Sequence, residues 1–110
     1  PRMVLRLPPR LAPVKAAILP LQKKDGLADI GRAATQSLRQ AGFVTEYDES
    51  GSIGKRYRRQ DEIGTPWCFT VDYQTKEDRT VTVRDRDTMS QERVSLDELP
   101  AWLAQKLARA

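Results

Sequence analysis

Four cationic side chains lie within five consecutive residues near the middle of the chain: Lys55, Arg56, Arg58 and Arg59. On a helix, residues three or four apart are neighbours, so Lys55 lies beside both Arg58 and Arg59, and each like-charge pair costs about 0.2–0.5 kcal/mol. Glu62, four residues after Arg58, offsets this repulsion only locally. A bound polyanion relieves the crowding, because arginine donates bidentate hydrogen bonds to phosphates and base edges. The cluster predicts a phosphate-facing surface, with a solvated helix face as the alternative.

A second group of side chains alternates cation and anion in the run Arg84-Asp85-Arg86-Asp87. Neighbouring residues of a strand point to opposite faces, so Arg84 and Arg86 are expected on one side and Asp85 on the other. Arginine can donate to N3 and O2 of cytosine, and a carboxylate can accept from its N4 amine. Together they can recognise an unpaired pyrimidine by its Watson–Crick edge. The alternative is a surface turn held by salt bridges.

The composition excludes several other functions. The 110 residues fit one domain, and the net charge of +4 is modest for a nucleic-acid binder, so the clustering of basic residues matters more than their total. With no histidine and a single cysteine, Cys68, the chain lacks a histidine-activated nucleophile, an internal disulfide and the usual zinc ligands. We therefore expect no catalytic residue, no metal, no membrane span and a reducing compartment.

Prolines mark a boundary near the start of the chain. Pro8 and Pro9, followed by Pro13, are typical of a stiff connection. We expect residues 1–12 to be a linker from a missing upstream domain and residues 13–110 to form the folded domain.

The first half of the chain has the pattern of a β-α-β unit. A mostly apolar run over 14–19, ended by Pro20, is typical of a buried central strand. Apolar residues spaced three and four apart predict a helix over 25–41, with Asp25 as N-cap and Gly42 as C-cap. A strand over 43–47 follows, and we expect the two strands to be parallel.

The basic cluster lies on a second predicted helix. Ser52 can cap its N-terminus, and the helix should end near Gly64. Ile53 and Tyr57 share one side, which we expect to anchor the helix, while Lys55, Arg58, Arg59 and Glu62 share the other. The basic side should therefore face outward.

The rest of the chain predicts three antiparallel strands and a last helix. The strands are expected within 66–73, 80–84 and 91–95, joined by short connections that favour hairpins. Large apolar residues alternate along the first of them, so we expect them in the core: Trp67, Phe69 and Tyr73. Ser95 and Glu98 form a possible capping box for the last helix, although Pro100 favours a later start.

The run Gly51-Ser52-Ile53-Gly54-Lys55-Arg56-Tyr57, with Asp61-Glu62-Ile63-Gly64 and a later segment over 83–89, resembles the signature stretches of the anticodon-binding domain of homodimeric class II glycyl-tRNA synthetase. The resemblance extends over about residues 11–107. It implies a three-layer α/β/α fold with a five-stranded mixed sheet, order 2-1-3-4-5, and three helices. It also implies that the domain docks the anticodon stem-loop of the glycine acceptor tRNA.

The same resemblance implies a larger protein in the cytoplasm. In that family an upstream class II catalytic domain uses ATP and magnesium to activate glycine, and the enzyme is a homodimer. This chain contains none of the catalytic domain and is expected to need no cofactor of its own.

The resemblance assigns candidate RNA-binding residues. By analogy with the threonyl enzyme, Arg58, Arg84 and Arg86 are expected to approach anticodon bases. Geometry alone adds Lys55, Glu62 and Asp85, and the basic cluster adds Arg56 and Arg59 as phosphate contacts.

Two other classes of function remain alternatives. The first is an accessory domain that binds protein, like the synthetase-derived subunit of a mitochondrial DNA polymerase. The second is a small flavodoxin-like enzyme, which the missing histidine and the missing phosphate loop disfavour.

Overall fold

The computed structural model describes residues 6–110 and contains, over that range, five strands and four α-helices. In chain order these are β1 (Ala16–Pro20), α1 (Leu27–Gln40), β2 (Thr45–Tyr47), α2 (Ile53–Ile63), β3 (Trp67–Val71), α3 (Tyr73–Asp78), β4 (Thr80–Asp85), β5 (Gln91–Ser95) and α4 (Leu99–Arg109). The strands form one sheet in the order β2-β1-β3-β4-β5, which confirms the predicted class and strand order. The prediction of three helices is wrong. The predicted linker over 1–12 lies partly outside the described residues.

The parallel half of the sheet forms as predicted, but α1 begins differently. Strand β1 pairs in parallel with both β2 and β3. Gly26 is the N-cap of α1 with a φ of 82°, and no side chain caps this end, so the assignment to Asp25 is wrong. The carboxylate of Asp25 instead accepts a hydrogen bond from Tyr73 Oη at 2.7 Å. At the other end Ala41 is the C-cap, and Gly42 follows with a φ of 96°.

Helix α2 begins and ends as predicted. The Oγ of Ser52 accepts a hydrogen bond from the backbone N–H of Lys55 at 3.2 Å, which satisfies one of the free donors of the first turn. Gly64 ends the helix with a φ of 80°, a conformation that glycine adopts without a steric penalty. The two caps fix the helix at 11 residues.

The antiparallel half contains the helix that the sequence analysis missed. Strands β3, β4 and β5 pair in antiparallel fashion, as predicted, but the connection from β3 to β4 is not a short hairpin turn. Helix α3 fills the connection from β3 to β4, because Asp72 and Thr75 form a reciprocal capping box: the Thr75 N–H donates to Asp72 Oδ1 at 3.1 Å, and the Asp72 N–H donates to Thr75 Oγ1 at 3.0 Å. Tyr73 therefore lies on a helix, 41% exposed, and its predicted place in the core is wrong.

The last helix starts later than the capping box suggested. Ser95 makes no side-chain capping hydrogen bond, and a 3₁₀ turn over Leu96–Glu98 comes first. Pro100 then lies in the first turn of α4, where its missing N–H costs nothing. Among residues 6–110, no helix has the length and apolar character that crossing a bilayer requires.

The two faces of the sheet are covered unequally. Helices α1 and α4 bury the larger core on one face, where Trp102 packs edge-on against Trp67 and Phe69 with centroids 5.9 and 5.5 Å apart. The core positions predicted for Trp67 and Phe69 are confirmed. On the opposite face α2 covers a small apolar cluster, in which Ile53 and Tyr57 pack on Ala17, Leu19 and Cys68. This arrangement leaves the outer side of α2 in solvent.

Candidate nucleic-acid interface

The outer side of α2 is a basic surface. Lys55, Arg58, Arg59 and Glu62 are all exposed, as the helical spacing predicted. Neither Lys55 nor Arg58 has an ion-pair partner in the part of the chain that the structure describes. Two cationic side chains are therefore available to an anionic ligand. We call this set of four residues the outer face of α2.

Arg59 is held by the loop before α2. Its Nε and Nη2 donate to Asp48 Oδ2 at 2.9 and 2.6 Å, and Nη2 also donates to the carbonyl oxygen of Ser50 at 2.7 Å. Burial opposes ionisation of Asp48, but hydrogen bonds from Ser50 and Arg59 outweigh it, and the pKa of Asp48 is lowered. Arg59 therefore contributes less free charge to the outer face than Arg58.

Arg56 lies on the inner side of α2, contrary to the prediction of a cluster of four exposed cations. It is 4% exposed, because at 100° per residue it lies about 60° from Ile53, the residue that packs on the sheet. Its guanidinium donates to the carbonyl oxygens of Pro20, Leu21 and Asp48. Arg56 therefore ties α2 to the ends of β1 and β2.

Arg84 is also buried, at 8% exposure. Its Nη1 and Nη2 donate to the two carboxylate oxygens of Asp61 at 3.1 and 3.3 Å. The guanidinium lies 4.9 Å from the ring centroid of Tyr57, whose hydroxyl hydrogen-bonds with Thr70 Oγ1. The predicted outward orientation of Arg84 is wrong, since its donors already face an internal carboxylate.

Arg86 lies in the turn beyond β4 and is 2% exposed. It donates from Nη1 to the carbonyl oxygen of Gly64 at 2.8 Å and from Nη2 to that of Leu7 at 2.6 Å. Nε and Nη2 also donate to the Asp87 carboxylate at 3.0 and 3.1 Å. The prediction that Arg84 and Arg86 share one strand face is wrong, because β4 ends at Asp85.

Asp85 shapes the turn. Its Oδ1 accepts hydrogen bonds from the backbone N–H groups of Asp87 and Thr88 at 2.8 and 3.1 Å, a local arrangement that aspartate favours at turns. Its Oδ2 accepts from Trp67 Nε1 at 3.3 Å. Of the eight predicted site residues, the structure thus brings together four on the outer face of α2 and gives the other four internal partners: Arg56, Arg84, Asp85 and Arg86.

The fold and these sites can now be set beside known proteins. A family described as "Anticodon binding domain" matches residues 15–106. The chain belongs to this family. The suspected resemblance is confirmed at that level.

Relatives of this anticodon-binding domain include glycine–tRNA ligases. The one from Bifidobacterium longum is 58% identical over 106 residues, which are 96% of this chain and 22% of the ligase. The one from Corynebacterium glutamicum is 59% identical over 106 residues, 96% of this chain and 23% of the ligase. The chain thus spans less than a quarter of the length of these relatives.

Solved structures share the fold of this anticodon-binding domain. Prolyl-tRNA synthetase from Cryptosporidium parvum, complexed with L-proline and AMP, aligns with a TM-score of 0.86 at 26% identity, over 96% of this chain and 23% of that chain. The RNA-binding domain of threonyl-tRNA synthetase from Cryptosporidium parvum Iowa II aligns with a TM-score of 0.81 at 25% identity, over 91% and 25%.

A polar strip, which the sequence patterns did not predict, lies on the sheet beside α2 in this anticodon-binding domain. Thr82 pairs across the strands with Thr70 and with Arg93, so the three side chains share the face that α2 partly covers. Arg93 Nη1 and Nη2 donate to the Asp72 carboxylate, both at 2.8 Å. This bond from Arg93 is the main cause of the lowered pKa of Asp72. The alternation of threonine at positions 80 and 82 was the available signal.

Cys68 is a packed thiol beneath α2. It is buried and unpaired, and burial raises its pKa to about 12. The thiol is therefore neutral at physiological pH and has no nucleophilic character.

Proposed function

We propose that this anticodon-binding domain is the tRNA-recognition module of a glycine–tRNA ligase and that the outer face of α2 contacts the anticodon loop. The observation that carries the proposal is the exposure of Lys55 and Arg58, without ion-pair partners among the described residues, in a chain 58% identical to a glycine–tRNA ligase. Exposed cations without internal acceptors are free to displace counterions from phosphates.

The eight candidate residues divide into three roles under this proposal. Lys55 approaches phosphates, because it lies in the first turn of α2, whose backbone N–H groups also favour anions. Arg59, one turn further along the same face, has the same role. Arg58 and Glu62, one turn apart on the same face, offer a donor and an acceptor to a base edge. The buried arginines and Asp85 hold this surface in place.

The wider function is also part of the proposal. A ligase of this kind joins glycine to tRNA in the cytoplasm, and its catalytic domain, which uses ATP and magnesium, lies outside this chain. The segment before β1 links the two domains, and the full enzyme is a homodimer. The chain itself catalyses no step.

Titration of the chain with a fluorescent anticodon stem-loop of the glycine acceptor tRNA tests the proposal. Binding should weaken with salt at a log–log slope of about −0.7 per phosphate contacted. Contacts from Lys55 and Arg59 therefore predict a slope of about −1.4. Lys55→Gln should make the slope less negative.

Arg109→Gln is the matched control. It removes the same charge from an exposed position at the end of α4, and it should leave the slope unchanged. A slope near zero for the unmodified chain would favour an accessory domain that binds protein instead of RNA.

A further inference from the structure

The segment that precedes β1 is here called the approach segment (residues 7–15). One of its own side chains, Lys15, holds it together by hydrogen bonds to backbone carbonyl groups. Lys15 Nζ donates to the carbonyl oxygens of Pro9, Arg10 and Ala12 at 2.9, 2.7 and 2.8 Å. These three bonds use all three donors of the ammonium group. Burial lowers the pKa of Lys15. One ammonium group thus links three backbone carbonyl groups of the segment.

Prolines stiffen the same segment. Pro8, Pro9 and Pro13 each fix one backbone φ angle, and a 3₁₀ turn over Pro9–Leu11 closes with a bond from the Leu11 N–H to the Pro8 carbonyl oxygen at 2.8 Å. The approach segment is therefore an ordered and stiff part of the chain. Its direction depends on where its first residues are attached.

The guanidinium of Arg86 makes that attachment. It binds the carbonyl oxygen of Leu7, at the start of the approach segment, and that of Gly64, at the C-terminus of α2. It also donates two hydrogen bonds to the carboxylate of Asp87 in the turn after β4. Arg6 Nη1 lies 3.8 Å from the Asp87 carboxylate. One buried side chain thus joins the approach segment to the end of the helix that presents the basic residues.

We propose that Arg86 is a positioning residue that fixes the direction of the approach segment relative to α2. Only a planar group with several fixed donors satisfies carbonyls on two separate segments and a carboxylate at once. The functional consequence of this attachment rests on the proposed function. In a ligase, Arg86 orients the outer face of α2 toward the tRNA bound by the rest of the enzyme. Arg86 itself does not touch RNA.

Amide hydrogen exchange of the 110-residue chain tests the attachment. In Arg86→Gln the exchange of the Leu11 and Ala12 amides should speed up by about tenfold relative to β3 amides, as expected for the loss of charged hydrogen bonds. Dividing the exchange rates of the Leu11 and Ala12 amides by those of the β3 amides distinguishes local loosening of the approach segment from destabilisation of the whole domain. An exchange ratio in Arg86→Gln equal to that of the unmodified chain would overturn the proposal. The same result in Arg86→Lys would also overturn it, because lysine keeps the charge but lacks the planar set of guanidinium donors.

A split between two assays tests the positioning role. Arg86→Gln should leave the affinity of the chain for the anticodon stem-loop within about twofold of the unmodified value, since Ile53 and Tyr57 still anchor α2 on the sheet and distant sites act nearly independently. In the full ligase carrying this chain, the same change should lower kcat/KM for tRNA by about tenfold or more, as misplacement of a bound substrate does.

Equal losses in both assays would contradict positioning and assign Arg86 to RNA contact. Unchanged kcat/KM in the ligase would also contradict it. If no variant binds the stem-loop, including the unmodified chain, the proposed function fails while the exchange ratio still tests the attachment. Arg58→Gln is the control, because it should weaken stem-loop binding without altering the exchange ratio.

Discussion

The two arginine-rich regions of this domain differ in exposure: one presents cations to solvent and the other buries them. On α2, Lys55 and Arg58 extend from the outer face into solvent. At the end of β4, Arg84 and Arg86 turn inward to a carboxylate and to backbone carbonyls. The cations on the outer face of the anchored helix therefore form a surface, whereas the arginines that alternate with aspartate at the end of β4 become part of the interior.

Local acceptors explain the difference. Arg84 faces Asp61 on the inner side of α2, and the capping carbonyl of Gly64 is within reach of Arg86. Along the outer face of α2, Glu62 is the one acidic residue of the helix that is exposed. Buried charges are retained only when acceptors surround them, so the inner arginines should control stability and the outer ones binding.

The largest expected effect comes from breaking the buried pair. Asp61→Ala should destabilise the chain by about 3–5 kcal/mol, because it leaves the guanidinium of Arg84 buried without its carboxylate. Urea denaturation gives this free energy of unfolding. The neighbouring change Glu62→Gln is the control and should stay within about 0.5 kcal/mol, since Glu62 is exposed. Equal stability of the two variants would show that the inner pair contributes nothing special.

A smaller effect should follow from removing the hydroxyl of Tyr57. Tyr57→Phe keeps the ring beneath Arg84 but loses the hydrogen bond with Thr70. We expect a loss of about 1 kcal/mol in unfolding free energy and an unchanged affinity for the anticodon stem-loop. A drop in affinity without a drop in stability would place the hydroxyl in the RNA contact instead.

The smallest expected effect is a loss of folding stability at acidic pH. The pKa of Asp72 is lowered mainly by the hydrogen bonds from Arg93. A carboxylate with a lowered folded-state pKa stabilises the fold above its ordinary value of about 3.9, and this contribution is lost as the pH falls through the folded-state pKa. Thermal unfolding should therefore show a loss of stability below about pH 4 that is smaller in Arg93→Met. The same acid sensitivity in both proteins would mean that the pair does not carry it.

Much of this architecture follows from the sequence. The spacing of apolar residues predicted α1, the alternation in β3 placed Trp67 and Phe69 in the core, and the caps Ser52 and Gly64 located α2. These features depend on neighbours in the chain, which a single sequence displays. The outward orientation of Lys55 and Arg58 followed from the same periodicity.

The remaining features depend on contacts between distant residues. The bonds of Arg86 to Leu7 and of Arg84 to Asp61 join positions 79 and 23 residues apart, and neither has a local signal. Helix α3 was missed because the strand predicted within 66–73 included Asp72 and Tyr73, although Asp72 and Thr75 together are a helix-start pattern. The inner position of Arg56 was predictable, since it lies closer to Ile53 than to Arg58 around the helix.

The most direct test of the division between outer and inner arginines measures RNA affinity and unfolding free energy in the same two variants, Arg58→Gln and Arg84→Gln. The account predicts that Arg58→Gln weakens stem-loop binding by about 1–3 kcal/mol at unchanged stability. It predicts that Arg84→Gln lowers stability while the folded protein keeps its affinity and its preference for cytosine over uracil in the anticodon. The opposite pattern, in which folded Arg84→Gln loses the cytosine preference and Arg58→Gln binds normally, would contradict it.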